Sequence, residues 1–168
     1  LDAYFAKTKK TNPAIVILHG GGWRSGNKSQ MKTFALEMAT KGYSCFTIEF
    51  RLSPEASYPA AIFDVKKAIQ FIKEEALKFN VDTTKIAILG CSSGGQMAAL
   101  IGTTNGKKEF EETEKSNDIS SNVNAIIDID GTLAFKHPES KEGTVAGLWL
   151  GGSYDKIPAI WEQAAPLN

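Results

Sequence analysis

A serine flanked by glycines is the feature of this sequence most suited to chemistry. Within Gly90–Gly94, which reads GCSSG, Ser92 lies two residues from each glycine. An apolar run from Lys85 to Leu89 precedes it and a helix-like stretch follows, so Ser92 falls on a predicted strand-to-helix turn. Such a turn has a strained backbone, and only glycines leave room for the two elements to approach closely. We therefore predict that Ser92 is a nucleophile and that helix-start N–H groups, including that of Ser93, can stabilise an anion.

A second glycine cluster is predicted to supply further hydrogen-bond donors. His19–Trp23, with the sequence HGGGW, follows the apolar run Ala14–Leu18. Glycines after a strand let backbone N–H groups point into a cavity without side chains in the way, which stabilisation of a developing oxyanion requires. Either cluster alone is also typical of a tight turn, but the two in this order favour an acyl-transfer site.

The chain contains two histidines, and neither is an obvious base for a serine. His19 belongs to the glycine-rich motif and is expected to shape that loop. His137 precedes Pro138 in a polar stretch and is interpreted as an exposed loop histidine. A serine hydroxyl without a base is a poor nucleophile at neutral pH, so the proton acceptor is not evident.

Two other patterns suggest different chemistry. Asp128–Thr132 reads DIDGT and resembles the first motif of haloacid-dehalogenase-type phosphatases, in which the first aspartate attacks phosphorus and both aspartates hold magnesium. That motif normally opens its domain, whereas few residues follow it here, so a magnesium-dependent phosphatase remains a minor alternative. Gly21–Ser29 nearly matches a phosphate-binding loop, but Asn27 puts the lysine out of register, which argues against nucleotide binding.

The elements around these motifs predict an α/β fold with a mostly parallel, doubly wound sheet. Buried strands are indicated by continuous apolar runs, and helices by apolar residues at helical spacing. The predicted strands are Ala14–Leu18, Ser44–Phe50, Lys85–Leu89 and Asn124–Ile129, with an edge strand near Asp2–Phe5; the predicted helices are Ser29–Lys41, one starting near Pro59, and Gly94–Gly102. The polar stretch Asn105–Asn122 is expected to be a solvated surface excursion.

The composition limits the kinds of molecule that the protein is expected to bind. Nineteen basic residues balance 19 acidic ones, so no bulk charge attracts the protein to nucleic acid or to an anionic membrane. Apolar residues make up 42% of the chain without any run of membrane-spanning length, which indicates a single water-soluble domain over residues 1–168. Cys45 and Cys91 are expected to be reduced, buried thiols, and no structural metal is expected.

Three motifs together resemble those of the α/β-hydrolase esterases of the hormone-sensitive-lipase and feruloyl-esterase-like group. They are His19–Trp23, then Phe50–Glu55 with Tyr58–Ala60 and Asp64, then Gly90–Gly95. The resemblance implies that Ser92 is the nucleophile and that the N–H groups of Gly21, Gly22 and Ser93 form the oxyanion hole. It also implies a structural Arg51–Asp64 pair.

The resemblance suggests weaker roles for two further residues. Trp23 is a candidate wall of the acyl pocket, with ordinary packing as the alternative. Asp130 ends the predicted strand beside Ser92, where it is expected to contact substrate or stand in for the catalytic acid.

The resembling fold has eight strands, with the catalytic acid after the seventh and the histidine after the eighth. This sequence accounts for the strands up to the sixth, so we expect an incomplete hydrolase domain without its C-terminal strands, acid and histidine. The implied function is hydrolysis of short acyl esters, such as acetyl or feruloyl groups on carbohydrates, through an acyl-serine and without cofactor or metal. The alternative is a catalytically silent fragment or binding module. An uncovered sheet edge is expected to cause marginal stability or self-association.

Overall fold

The computed structural model describes residues 1–8, 10–111, 119–136 and 143–168. In these ranges the strands are β1 (Asp2–Tyr4), β2 (Asn12–Leu18), β3 (Ser44–Thr47), β4 (Val81–Cys91) and β5 (Ala125–Ile129). The helices are α1 (Lys32–Thr40), α2 (Ala60–Glu74), α3 (Ala76–Phe79), α4 (Ser93–Thr103), α5 (Gly143–Leu150) and α6 (Pro158–Gln163), with short 3₁₀ helices at Lys28–Met31 and Lys108–Phe110.

The five strands form one mixed sheet in the order β1-β3-β2-β4-β5. β1 pairs with β3 antiparallel, and all other neighbouring strands are parallel. In register, Leu18 lies opposite Gly90, and Gly90 lies opposite Asp128. The carboxyl ends of β2, β4 and β5 therefore meet at one edge of the sheet, and the predicted α/β class with a mostly parallel sheet is confirmed.

Helices cover both faces of the sheet, which explains why its central strands are continuously apolar. On one face α1 packs over a small cluster that includes Ile15, Cys45 and Leu89. On the other face α2 buries its stripe of Ile62, Val65, Ile69 and Ile72 completely, as its spacing predicts, in a larger core that also contains residues of α4, α5 and α6.

Several boundaries differ from the sequence-based expectations. β3 ends at Thr47 rather than Phe50, and the helix expected from Ser29 begins with the 3₁₀ turn, so α1 itself starts at Lys32. Gly42 follows α1 with a φ of +98°, the left-handed conformation expected of a C-terminal stop. Cys91 is only half-buried, because it lies at the exposed end of β4, so the expectation that both thiols are buried is wrong for Cys91.

The prediction that Asn105–Asn122 is simply a solvated excursion is wrong at both described ends of this stretch. Phe110 is buried in the core, and Glu111 pairs with Lys66 of α2. The side chain of Ser121 is also buried and bonds to Glu111. The acidic and basic residues among 112–118 lie outside the described residues. The segment is therefore attached to α2 through an ion pair whose lysine is buried, and no periodicity in the stretch indicates this pair.

The region after Ile129 lacks a clear period in sequence but contributes two short helices. Trp149 and Leu150 of α5 and Trp161 of α6 are buried, as their apolar character requires, whereas Leu148 stays exposed. In the described ranges, no helix has the combination of length and hydropathy needed to cross a bilayer.

Candidate active site

Ser92 occupies a strained turn between β4 and α4. Its φ of +54° and ψ of −122° lie where residues with a side chain are seldom found, and the side chain is exposed. Two hydrogen bonds hold this conformation: Ser92 N donates to Ile129 O at 2.8 Å, and Gln96 N donates to Ser92 O at 3.0 Å. The strand beside it and the helix after it thus fix the backbone conformation of the serine.

The glycines around Ser92 are required by contacts between backbones. A Cβ on Gly90 would lie 2.0 Å from Gly94 O, so β4 and the first turn of α4 nearly touch. A Cβ on Gly94 would lie 2.5 Å from His19 O, which brings the end of β2 against the same turn. The close approach expected from the GCSSG pattern is therefore present, and backbone atoms on both sides leave no room for a methyl group.

The loop His19–Trp23 lies directly beside Ser92. A Cβ on Gly20 would be 3.0 Å from Cys91 O and 3.3 Å from Ser92 Cβ. Gly21 and Gly22 have φ values of +135° and +61°, which glycine adopts without strain. The loop then closes on itself, because Gly21 O accepts hydrogen bonds from the backbone N–H groups of the third and fourth residues after it.

Three backbone donors are left over near the serine. In the part of the chain that the structure describes, the N–H groups of Gly21, Gly22 and Ser93 have no hydrogen-bond acceptor. Ser93 is the first residue of α4, so its N–H has no partner within the helix and carries the positive end of the helix dipole. Donors of this kind, fixed beside a hydroxyl, can stabilise the negative oxygen formed when that hydroxyl attacks a carbonyl.

Trp23 is packed inside the protein. Its side chain is 3% exposed and stacks on Trp149 with ring centroids 5.0 Å apart and planes 12° apart. Its Nε1–H donates to Gln96 Oε1 at 3.0 Å, and Phe135 packs against it at 5.8 Å. This geometry accounts for Trp23 by packing behind the loop, and its contact with an acyl group stays a prediction.

His19 is enclosed and lies behind the loop. Its side chain is 1% exposed and stacks on Phe50 with ring centroids 4.4 Å apart. Nδ1 donates to Gly20 O at 2.8 Å, and no described atom bonds to Nε2. These contacts fit the expectation that His19 shapes the loop. His137 lies outside the described residues.

Two aspartates and a thiol lie at the end of β5 and β4. Asp128 Oδ1 accepts from Gly131 N at 3.0 Å and lies 2.2 Å from where a Cβ on Gly95 would be, so it is turned under the first turn of α4. Asp130 is exposed, with a φ of +57°, and follows directly after the Ile129 carbonyl that bonds to Ser92. Burial, and to a lesser extent the charge of Asp128, raise the pKa of the Cys91 thiol above its ordinary value.

Arg51 and Asp64 form the pair expected from the motif. Arg51 Nη2 lies 2.7 Å from Asp64 Oδ1, Nε donates to the same carboxylate at 2.9 Å, and Arg51 N donates to Asp64 Oδ2. The half-buried pair joins the segment after β3 to α2, so its contacts fit a structural role.

Gln96 is the site residue that the sequence pattern does not single out. It is a polar residue on an otherwise apolar helix, fully buried, and it bonds to Trp23 and to Ala164 O. A glutamine among apolar residues one turn after the serine is a signal that could have found it, because a buried amide needs partners.

A family model and the sequence relatives assign this chain to the same family. The BD-FAE family model matches residues 1–168. Esterase LipC of Mycobacterium tuberculosis is 29% identical over 177 residues, an alignment that covers 100% of this chain and 43% of LipC. The chain therefore spans less than half the length of this curated relative.

Solved structures agree with the sequence relatives. A bifunctional GH43-CE protein of Bacteroides eggerthii superposes with a TM-score of 0.88 at 28% identity, covering 98% of this chain and 24% of that one. A truncated form of a carbohydrate esterase from gut microbiota gives a TM-score of 0.81 at 30% identity, covering 99% of this chain and 65% of that one. Since the family model matches all 168 residues, the chain belongs to the BD-FAE family of α/β-hydrolase esterases.

Proposed function

We propose that the protein hydrolyses carboxylic esters through a covalent acyl-Ser92 intermediate. The observation that carries the proposal is the exposed Ser92 on its strained turn, with the free N–H groups of Gly21, Gly22 and Ser93 beside it. The esterase names of the relatives support the same reaction class.

In the proposed reaction Ser92 Oγ attacks the ester carbonyl carbon and gives its proton to a base. The carbonyl oxygen becomes an oxyanion and accepts hydrogen bonds from the loop and helix N–H groups. The carbon–oxygen bond to the alcohol then breaks, and the alcohol leaves with the proton from the base. Water attacks the acyl-serine in the same way, which releases the carboxylic acid and restores the hydroxyl.

We place the base outside the described residues. His19, the one histidine that the structure describes, has Nδ1 bonded to Gly20 O and its ring shielded by Phe50. We propose that Asp130 contacts substrate or stands in for the acid; its exposure and its position next to Ile129, which bonds to Ser92, support this. The enclosure of His19 also favours the second candidate, a chain that keeps the turn but is catalytically silent and serves as a binding module.

The proposed substrates are short acyl esters such as acetyl or feruloyl groups on carbohydrates. Support comes from the names of the two solved structures, one a carbohydrate esterase and the other a GH43-CE protein. A direct comparison of p-nitrophenyl acetate, p-nitrophenyl octanoate and a feruloylated arabinose tests this class; preference for the octanoate would contradict it.

Covalent labelling separates the esterase from the silent alternative. The chain is treated with a fluorophosphonate in the presence of imidazole, which serves as an external base, and the adduct is mapped by mass spectrometry. The proposal predicts one adduct on Ser92, lost in Ser92→Ala and retained in Ser93→Ala, which removes the neighbouring hydroxyl but keeps its N–H. No adduct, or one that survives Ser92→Ala, would favour the silent binding module.

We also propose that the 168-residue chain associates with itself through β5. Among the described strands β5 pairs only with β4, and Ile127 and Ile129 are 39% and 44% exposed. A parallel strand with free backbone groups and apolar side chains is a template for pairing with a second copy. Sedimentation equilibrium is expected to show a mass that rises with concentration and falls towards the monomer in Ile127→Lys. A monomer at all concentrations with cooperative unfolding at high temperature would refute this.

A further inference from the structure

Gln96 connects three separate parts of the molecule. Its backbone N–H donates to Ser92 O at 3.0 Å, so it belongs to the first turn of the helix that presents the serine. Its side-chain oxygen accepts from Trp23 Nε1, at the end of the glycine loop, at 3.0 Å. Its side-chain nitrogen donates to Ala164 O, just after α6, at 2.8 Å.

The chemistry of the two partners fixes which way the amide points. An indole N–H can only donate, so the oxygen of Gln96 must face Trp23. A backbone carbonyl can only accept, so the NH₂ group must face Ala164. The side chain of Gln96 is 0% exposed, so no water competes for either bond and neither end can exchange its partner without leaving a buried polar group unpaired.

The loop has few other restraints at this end. Trp23 itself has a φ of +56°, which a residue with a side chain adopts only when surrounding contacts impose it. Those contacts include the stack on Trp149, the packing of Phe135, the bond to Gln96, and the backbone bond from Ser53 N to Trp23 O at 2.8 Å. Of these contacts, the hydrogen bond to Gln96 joins Trp23 to α4, the helix that carries Ser92.

We infer that Gln96 is a positioning residue for the oxyanion hole: by holding Trp23 against α4, it sets where the Gly21 and Gly22 N–H groups lie relative to Ser92. The inference rests on the proposed esterase function for its catalytic consequence. The same bond network makes the end of α6 part of the restraint, because Ala164 O keeps the amide in the orientation that Trp23 needs.

The test uses two substitutions that break the same bond from opposite sides. Gln96→Met keeps the length and shape of the side chain but removes both bonds, and Trp23→Phe removes the indole donor while keeping an aromatic ring. Gln70→Met is the matched control, because Gln70 also donates from Nε2 to a backbone carbonyl, that of Ile119, but lies on α2.

The first readout is the second-order rate constant for fluorophosphonate labelling of Ser92, measured with saturating imidazole below the unfolding temperature of each variant. Gln96→Met and Trp23→Phe are each expected to slow labelling about tenfold or more, since small displacements of a catalytic group cost that much. In the double variant the combined effect is expected to be less than the sum of the two single effects, because both substitutions remove the same bond between Trp23 and Gln96. Gln70→Met is expected to match the wild type.

The second readout does not depend on activity. Hydrogen exchange at the amides of Arg24 and Ser25, which donate to Gly21 O, and of Ser53, which donates to Trp23 O, is expected to be faster in Gln96→Met and unchanged in Gln70→Met. Unchanged exchange together with unchanged labelling would overturn the inference. If the wild type fails to label, the esterase proposal fails, and the exchange rates alone decide whether Gln96 restrains the loop; wild-type exchange in Gln96→Met would then overturn it.

Discussion

Removal of the Glu111 carboxylate is expected to destabilise the protein more than removal of the lysine that it pairs with. Lys66 lies on α2 with 1% of its surface exposed, and its Nζ is 3.2 Å from Glu111 Oε1. Among the residues that the structure describes, Nζ also bonds to Thr104 O at 3.4 Å and Ser121 Oγ at 3.5 Å. Both are neutral, so in the described part of the chain Glu111 supplies the negative charge beside the buried ammonium.

The expected losses in free energy of unfolding follow from the difference in burial between Lys66 and Glu111. Two unit charges 3.2 Å apart attract by about 5 kcal/mol at an effective dielectric constant of about 20. Glu111→Gln leaves the buried ammonium without that attraction, and we expect the free energy of unfolding to fall by about 3 kcal/mol or more. In Lys66→Met the side chain of Glu111, 27% exposed, can still be hydrated, so the expected loss is about 1 kcal/mol.

Urea unfolding followed by tryptophan fluorescence measures these free energies. The double variant Lys66→Met with Glu111→Gln is expected to recover most of the stability lost in Glu111→Gln, because no unpaired buried charge remains. Glu75→Gln is the control, since Glu75 pairs with the exposed Lys78, and its expected effect is below about 1 kcal/mol. The reasoning is refuted if Glu111→Gln costs no more than Glu75→Gln, or less than Lys66→Met.

Two further predictions concern the turn itself. Gly94→Ala places a Cβ 2.5 Å from His19 O, so it is expected to lower the free energy of unfolding by about 1–3 kcal/mol and to abolish labelling of Ser92. Gly143→Ala, whose Cβ would have no atom of the described residues within 4 Å, is the control for both measurements. Normal labelling of Gly94→Ala would contradict the geometry. The raised pKa of the Cys91 thiol keeps it protonated to higher pH than a free cysteine, so its alkylation by iodoacetamide is expected to begin at higher pH. Asp128→Asn removes a negative charge that disfavours the Cys91 thiolate, so the midpoint of the alkylation profile should move to lower pH. A shift to higher pH would contradict the conclusion that Asp128 raises the pKa of this thiol.

The sequence predicts the centre of this fold well because the physical signals there are local. The apolar runs of β2 and β4 mark strands buried on both faces, and the spacing in α2 marks one buried stripe. The glycines around Ser92 are required by backbone contacts that leave no room for a side chain, so their positions in the sequence predict the geometry of the turn.

Other features depend on contacts between residues far apart in sequence, which no local pattern contains. The Lys66–Glu111 pair joins α2 to a stretch whose charges are typical of a solvated surface. Gln96 meets Trp23 and Ala164, which lie 73 and 68 residues away. The helices α5 and α6 are short. Their buried residues are determined by packing against Trp23 and its neighbours, and no regular spacing of apolar residues in the sequence indicates them.

The most direct test of the central claim is Ser92-dependent hydrolysis of p-nitrophenyl acetate by the 168-residue chain as imidazole is added. The rate of Ser92→Ala under the same conditions is subtracted at each imidazole concentration. The account predicts a difference near zero without imidazole and a saturable increase with it, because the chain supplies nucleophile and oxyanion hole while imidazole supplies the base. No difference from Ser92→Ala at any concentration would contradict the esterase site. Ser92-dependent turnover without imidazole would contradict the claim that the chain needs an external base, because His19 or His137 would then serve as the base.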